Sequence, residues 1–141
     1  MIGTWIAGYL GGKLRKKNIL SMIYLARSIV ILVFVQLPVS QVSVLIFAAA
    51  IGLLWLATVP LTGGIVAEMF GTRYMATLYG IVFLSHQLGS FTGVWLGGVI
   101  RDATGSYDAF WWVMVVFGLI AALIHWPIDD RPVTRLAEQK G

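Results

Sequence analysis

Uncharged apolar stretches alternate with short charged segments along this chain of 141 residues. The stretches without a charge are residues 28–67, 74–100 and 109–128. A helix that crosses the hydrocarbon core of a bilayer needs roughly 20 apolar residues. The first stretch is too long for one crossing, and the proline-containing segment 37–41 divides it. The pattern therefore predicts an all-α integral membrane protein.

Four full membrane-spanning helices can be placed on this pattern, at about residues 19–37, 42–67, 76–100 and 109–128. Residues 1–12 are apolar but too short to cross a bilayer, and they are predicted to be the last turns of a further, partial helix. Residues 1–128 would then form the transmembrane domain. Residues 129–141 are polar and are predicted to form a tail.

The Lys and Arg residues predict the orientation, because the short cytoplasmic loops of membrane proteins are enriched in them. Eight of the ten lie on one side of the predicted topology, in the first connection, at Arg73 and in the tail. The opposite side has only Arg101, and Arg27 lies inside a helix. The tail is therefore predicted to be cytoplasmic, on the inner side of a cell (inner) membrane.

Composition narrows the function further. Hydrophobic residues make up 59% of the chain and charged residues 11%, whereas soluble proteins carry about 25% charged residues. The net charge is +4, but the basic residues form no face interleaved with aromatic residues, so no nucleic-acid partner is predicted. The chain has no cysteine, and its two histidines have no acidic residue at ligand spacing, so neither a metal nor a cofactor is predicted. Neither a G-x-S-x-G turn nor a cluster of Arg and His points to an enzyme.

Residues 8–17 read GYLGGKLRKK. This segment resembles the cytoplasmic G-x-L-x-D-R-x-G-R-K signature of the major facilitator superfamily of secondary transporters. Glycine replaces the acidic residue at position 12, and arginine replaces the later glycine at position 15. The positions that match the signature are Gly8, Leu10, Lys13, Lys16 and Lys17. In that family, degenerate copies of this kind stand between helices eight and nine.

A second segment runs from HQLGSF at residues 86–91 to RDATGSYD at residues 101–108. It is similar to helix eleven and its junction with helix twelve in the monocarboxylate-transporter-like branch. The resemblance covers nearly the whole chain, from the end of helix eight to helix twelve, and implies the C-terminal portion of the superfamily fold. It implies a secondary active transporter that moves small organic solutes, with monocarboxylates and proton coupling as the expectation. The lipid bilayer, a small-molecule solute and the missing N-terminal half of the transporter would be its partners.

An independent four-helix membrane protein, acting as a scaffold or as a dimeric exporter, is the alternative. Compact exporters of that class rely on a carboxylate embedded in the membrane. In this chain no Asp or Glu lies in the middle of a predicted helix, which favours the transporter fragment.

Polar side chains in hydrocarbon are costly and are candidates for function. Arg27 could attract a carboxylate, or its long stem could reach the headgroups. His86 could carry a proton or could donate a structural hydrogen bond. Pro60 is expected to bend its helix, whose polar side could border a cavity or could simply pack. The predicted residues of the solute pathway are Arg27, Trp55, Thr58, Thr62, His86, Gln87 and Ser90.

Two further groups complete the predicted site. Glycines spaced four residues apart let another helix approach closely, and these are Gly89, Gly93 and Gly97. The resemblance also implies a cytoplasmic gate, in which the basic loop engages the acidic residue that ends the second full helix. The predicted gate consists of Glu68 with Lys13 or Lys16, and a solvated charge at the end of a helix is the other interpretation of Glu68.

Overall fold

The computed structural model of the protein describes residues 2–131 and residue 133. Most of the predicted tail lies outside these residues, and so do Arg135 and Lys140, which contributed to the predicted orientation. No β-strand occurs in the described part of the chain, which confirms the all-α class. The helices are α1 (Ile2–Gly11), α2 (Lys16–Gln36), α3 (Gln41–Phe70), α4 (Met75–Thr104) and α5 (Asp108–His125).

Two helices run further than the apolar pattern predicted. The helix α3 continues past Glu68 to Phe70, and α4 continues past Arg101 to Thr104. A charge ends an apolar segment but does not end a backbone helix, because the chain can leave the hydrocarbon while it stays helical. Each helix stops instead at a glycine with a positive φ, +75° at Gly71 and +76° at Gly105, a conformation that other residues adopt at a cost.

Three helices, α2, α3 and α5, are long and apolar enough to cross a membrane. The helix α4 has 30 residues and is long enough, but polar side chains such as those of His86 and Gln87 lie near its middle. These side chains interrupt the apolar sequence of α4 at its centre. A crossing by α4 stays a prediction, and its polar middle is the feature that distinguishes it from its neighbours.

Small residues join α1 to α3. Gly3, Ala7 and Gly11 recur every four residues and so share one face of α1. A Cβ added to Gly3 would lie 2.5 Å from the carbonyl oxygen of Leu53, and one added to Gly11 would lie 3.0 Å from the side chain of Leu61. The two helices therefore run in parallel and in close contact. Their shared core also includes α2; its buried members are Ala7, Ile19, Leu20, Ile23, Ala57 and Leu61.

Buried serines join α2 to α5. The hydroxyl of Ser21 donates to the carbonyl oxygen of Ala122 at 2.7 Å, and that of Ser28 lies 3.4 Å from the carbonyl oxygen of Val115. Seven residues separate the two contacts on both helices, so α2 and α5 are antiparallel. Gly118 lies between them, under the Ser28 side chain. Hydrogen bonds between membrane helices contribute about 0.6 kcal/mol each, and here they also fix the register.

The helix α4 packs loosely. It meets α5 where Gly97 lies against the ring of Phe110, and it meets α3 where Tyr79 lies against Gly63. Gly97 is its one buried residue, although the structure describes α4 throughout. Large apolar side chains such as Phe91 and Val94 are exposed along it. Most of the surface of α4 is therefore uncovered by the rest of the described chain, including the region around His86.

The substitution Gly3→Ala is expected to weaken the packing of α1 on α3. The added Cβ would meet the backbone carbonyl of Leu53, which cannot move without a shift of the whole helix. Overpacking of this kind costs about 1–3 kcal/mol. Thermal unfolding of the full chain in detergent micelles, followed by the loss of helical circular dichroism, measures the effect.

Gly8→Ala is the matched control, since Gly8 lies on the same helix and no described atom outside its own helix backbone lies within 4 Å of its added Cβ. Alanine favours a helix over glycine by about 1 kcal/mol, so this variant should keep or raise the melting temperature. Equal melting temperatures for the two variants would contradict the close contact between α1 and α3.

Candidate functional site

Arg27 lies near the middle of α2, and its guanidinium group lies against two aromatic rings. The guanidinium carbon is 4.6 Å from the centroid of the Trp55 ring of α3 and 5.6 Å from that of Tyr24, one turn earlier on α2. A cation over an aromatic face gains about 0.5–1 kcal/mol when exposed and about 2 kcal/mol when desolvated. No Asp or Glu among residues 2–131 and 133 forms an ion pair with Arg27. The half-buried cation thus has aromatic neighbours and no counter-charge in this part of the chain.

The same tryptophan links Arg27 to His86 of α4. The ring centroids of Trp55 and His86 are 6.0 Å apart, with the planes at 67° in an edge-to-face arrangement. Phe83, on the preceding turn of α4, lies 6.3 Å from the His86 ring. Three predicted pathway residues, one from each of three helices, are therefore together. We refer to Arg27, Trp55 and His86 as the mid-membrane cluster.

Tyr24 extends this cluster toward α5, which the sequence did not predict. Its ring centroid lies 4.9 Å from that of His125, and Nδ1 of His125 donates to the carbonyl oxygen of Ala121 at 2.7 Å. Aromatic and ionisable side chains thus connect all four long helices. The spacing of Tyr24 and Arg27 along α2 was a signal for their contact, but no sequence signal placed His125 beside them.

The remaining predicted pathway residues lie outside the cluster. The hydroxyl of Thr58 donates to the carbonyl oxygen of Trp55 at 2.7 Å, and that of Thr62 donates to Thr58 at 2.9 Å. Both threonines thereby bond to their own helix, as is common for hydroxyl side chains in membrane helices. Gln87 and Ser90 are exposed on α4. A role for these four residues in the pathway stays a prediction.

At the N-terminal end of α2 and the C-terminal end of α3, an ion pair joins Lys16 to Glu68. The Lys16 side chain is 18% exposed, and its aliphatic stem lies over Gly64, where a larger residue would collide with it. Lys13 instead lies 4.4 Å above the ring of Tyr9 and donates to its hydroxyl. Of the two lysines that the sequence offered, Lys16 is therefore the one that meets Glu68 here. The pair joins two helices that share a buried core.

The three glycines predicted to pack on another helix differ from one another. A Cβ added to Gly97 would lie 3.3 Å from the Phe110 ring, so Gly97 provides a close contact to α5. No described atom lies within 4 Å of a Cβ added to Gly89 or Gly93. Those two glycines lie on the same side of α4 as His86 and Gly97, between the contacts to α3 and α5.

Comparison with known proteins identifies a family that this chain matches. The model of the Major Facilitator Superfamily matches residues 1–141. The chain is also similar to the uncharacterized MFS-type transporter YcxA of Bacillus subtilis (strain 168), with 28% identity over 137 residues. These residues are 93% of this chain and 34% of the relative, so the chain spans about a third of the length of that protein. No solved structure matches the chain significantly.

Removal of either partner of the Lys16–Glu68 pair should lower stability, and the two losses should not add. We expect a coupling free energy of about 0.5–1 kcal/mol for Lys16→Ala with Glu68→Ala, since exposed ion pairs contribute about 0–1 kcal/mol. Thermal unfolding of the two single variants and the double variant in micelles provides this value.

Lys13→Ala combined with Glu68→Ala is the control for this cycle, because Lys13 contacts Tyr9. Its coupling to Glu68 should be zero within error. A coupling to Lys13 as large as that to Lys16 would show that loop charge in general, rather than the observed pair, acts on Glu68.

Proposed function

Because the chain belongs to the Major Facilitator Superfamily, we propose that it forms the C-terminal transmembrane portion of a secondary active transporter for small organic solutes. The helices α1 to α5 would be the end of helix eight and helices nine to twelve of that fold. This superfamily consists of transporters rather than enzymes. The observation that carries the proposal is the mid-membrane cluster, in which an arginine, a tryptophan and a histidine from three apolar helices meet.

The charge of the cluster favours an anionic solute. An arginine at the centre of a membrane helix costs roughly 2.5–3.5 kcal/mol on insertion scales, and a desolvated cation over an aromatic face recovers about 2 kcal/mol. A carboxylate would recover more, because a guanidinium donates two parallel hydrogen bonds to it. Trp55 would then line the apolar part of the solute. We therefore propose small monocarboxylates as the solute class, with Arg27 as the group that binds the carboxylate.

His86 is the proposed proton carrier. Imidazole side chains exchange protons in the physiological pH range, and His86 is exposed on α4 at the depth of the cluster. A proton on His86 would place a second positive charge beside the anion. The proton would then leave His86 together with the anion. This coupling would make transport of a monocarboxylate depend on the proton gradient.

The uncovered face of α4 supports a role for a missing half. Substrate sites in these transporters lie near the membrane midplane, between two repeats that rock against each other. The face that carries His86, Gly89 and Gly93 is open in the described chain, and Gln87 and Ser90 lie beside it. We propose that the N-terminal half of the transporter covers this face and completes the path.

The distribution of charge supports a proposed orientation of the chain in the membrane and a proposed gate. The basic connection between α1 and α2 favours the cytoplasmic side, which would put the tail and the Lys16–Glu68 pair at the inner surface of the cell membrane. A gate needs only a small bias between two states, so an exposed ion pair is strong enough for that role. We propose that this pair stabilises the conformation that is closed to the cytoplasm.

Arg27→Ala is expected to lower the uptake of small monocarboxylates by the intact transporter at least tenfold, because the carboxylate loses its cation. Arg27→Lys should keep part of the activity, since the charge remains without the planar fork. Uptake of labelled lactate and pyruvate into proteoliposomes measures both variants.

Arg73→Ala is the matched control, because Arg73 also lies beside an aromatic ring, 5.5 Å from that of Tyr74, but outside the membrane-spanning segments. It should leave uptake unchanged. Full activity of the Arg27→Ala variant would remove Arg27 from the solute site, whereas an equal loss in both variants would indicate a general effect of charge.

His86→Gln is expected to flatten the dependence of uptake on external pH between about pH 5.5 and pH 8, because glutamine retains hydrogen bonding but does not titrate. Initial rates across this range, with and without an imposed proton gradient, provide the measurement. His125→Gln is the comparison variant. An unchanged pH profile in the His86 variant would exclude His86 as the proton carrier.

A further inference from the structure

Beyond α5 the chain crosses the inner surface of the helix bundle. The helix ends at His125, and the backbone N–H of Val133 donates to the carbonyl oxygen of Met69, at the end of α3, at 2.9 Å. Residues 126–131 and Val133 are called the tail strap below. The strap thus begins at the inner end of α5 and returns to the inner end of α3.

An arginine before α2 holds the middle of the strap. The Nε and Nη2 atoms of Arg15 both donate to the same carboxylate oxygen of Asp130, with Nε at 3.2 Å. The Asp130 side chain is only 10% exposed, whereas that of Arg15 is 53% exposed. The hydrogen bond from Arg15 lowers the pKa of Asp130 below its ordinary value of 3.8. The contact is therefore fully present at any pH above that value and is lost only on strong acidification.

A lysine of α2 holds the beginning of the strap. The Nζ atom of Lys17 donates to the carbonyl oxygen of Ile128 at 2.6 Å and lies 3.4 Å from that of Trp126. These carbonyls follow the C-terminal end of α5, where a positive charge is favourable. Arg15 and Lys17 thus bind the strap, while Lys16 between them binds Glu68 of α3. Three consecutive basic residues therefore attach the start of α2 to the tail strap and to α3.

We propose that the tail strap is a conformational device that fastens the inner ends of α2, α3 and α5 into one unit. No hydrogen bond or ion pair joins the strap to α4 within residues 2–131 and 133. Movement on the inner side therefore occurs between this fastened unit and α4, rather than among α2, α3 and α5. The strap is held by side chains that are partly exposed, so its release costs little, and it can open without unfolding of the helices.

A single cysteine tests the strap, because the chain has none of its own. In the full chain reconstituted in lipid vesicles, Ile128→Cys provides one thiol at a half-buried position of the strap, and its alkylation rate by a soluble maleimide reports on release of the strap. Asp130→Asn in this background should raise the rate about two- to fivefold, as expected for the loss of one partly exposed ion pair. The helical circular dichroism should not change.

Asp129→Asn is the matched control. Asp129 is the preceding residue and loses the same charge, but its side chain is 69% exposed and lies 3.7 Å from Arg131. It should leave the alkylation rate unchanged. Exchange of the pair, Arg15→Asp with Asp130→Arg, should restore the slow rate. An unchanged rate in the Asp130→Asn variant, equal acceleration by the two Asn variants, or no restoration by the exchange would each overturn the proposal.

Discussion

Hydrocarbon offers no hydrogen-bond partner to a polypeptide, and this constraint governs where the polar groups of the protein lie. Helices satisfy the backbone internally, and the polar side chains within them must find partners in the same way. Ser21 bonds to α5, whereas Thr58 and Thr62 bond to their own helix. No buried polar side-chain atom among the described residues lacks a hydrogen-bond partner. The serine contacts between α2 and α5 are thus a consequence of the hydrocarbon around the helices as much as of packing.

The same constraint explains why packing depends on small residues. Lipid tails are as apolar as leucine, so helices associate through close contact rather than by burial of apolar surface from water. Gly3 and Gly11 bring α1 onto α3, and Gly118 lets α5 approach Ser28. On α4 such contact is limited to Gly97 and the region around Tyr79. Close contacts are therefore concentrated among α1, α2, α3 and α5, while most of α4, including the region around His86, is uncovered.

Arg27 is the exception to this pattern of satisfied polar groups. Its charge has no acidic partner in the described chain, and aromatic faces recover only part of the cost of its place in α2. Its link through Trp55 to His86 brings a fixed cation and an imidazole into one cluster. These two groups are the basis of the proposed transport of an organic anion together with a proton.

The sequence by itself determined the class, the helices to within a few residues, and the family signature, because hydrophobic periodicity and length depend only on local composition. It could not decide that Arg27 meets Trp55 and His86, that Tyr24 meets His125, or that Lys16 rather than Lys13 meets Glu68. The contact between Arg15 and Asp130, which are 115 positions apart, could likewise not be predicted from the hydrophobic pattern. Contacts between helices depend on rotation and register, which many weak interactions set together, so only the tertiary structure decided them.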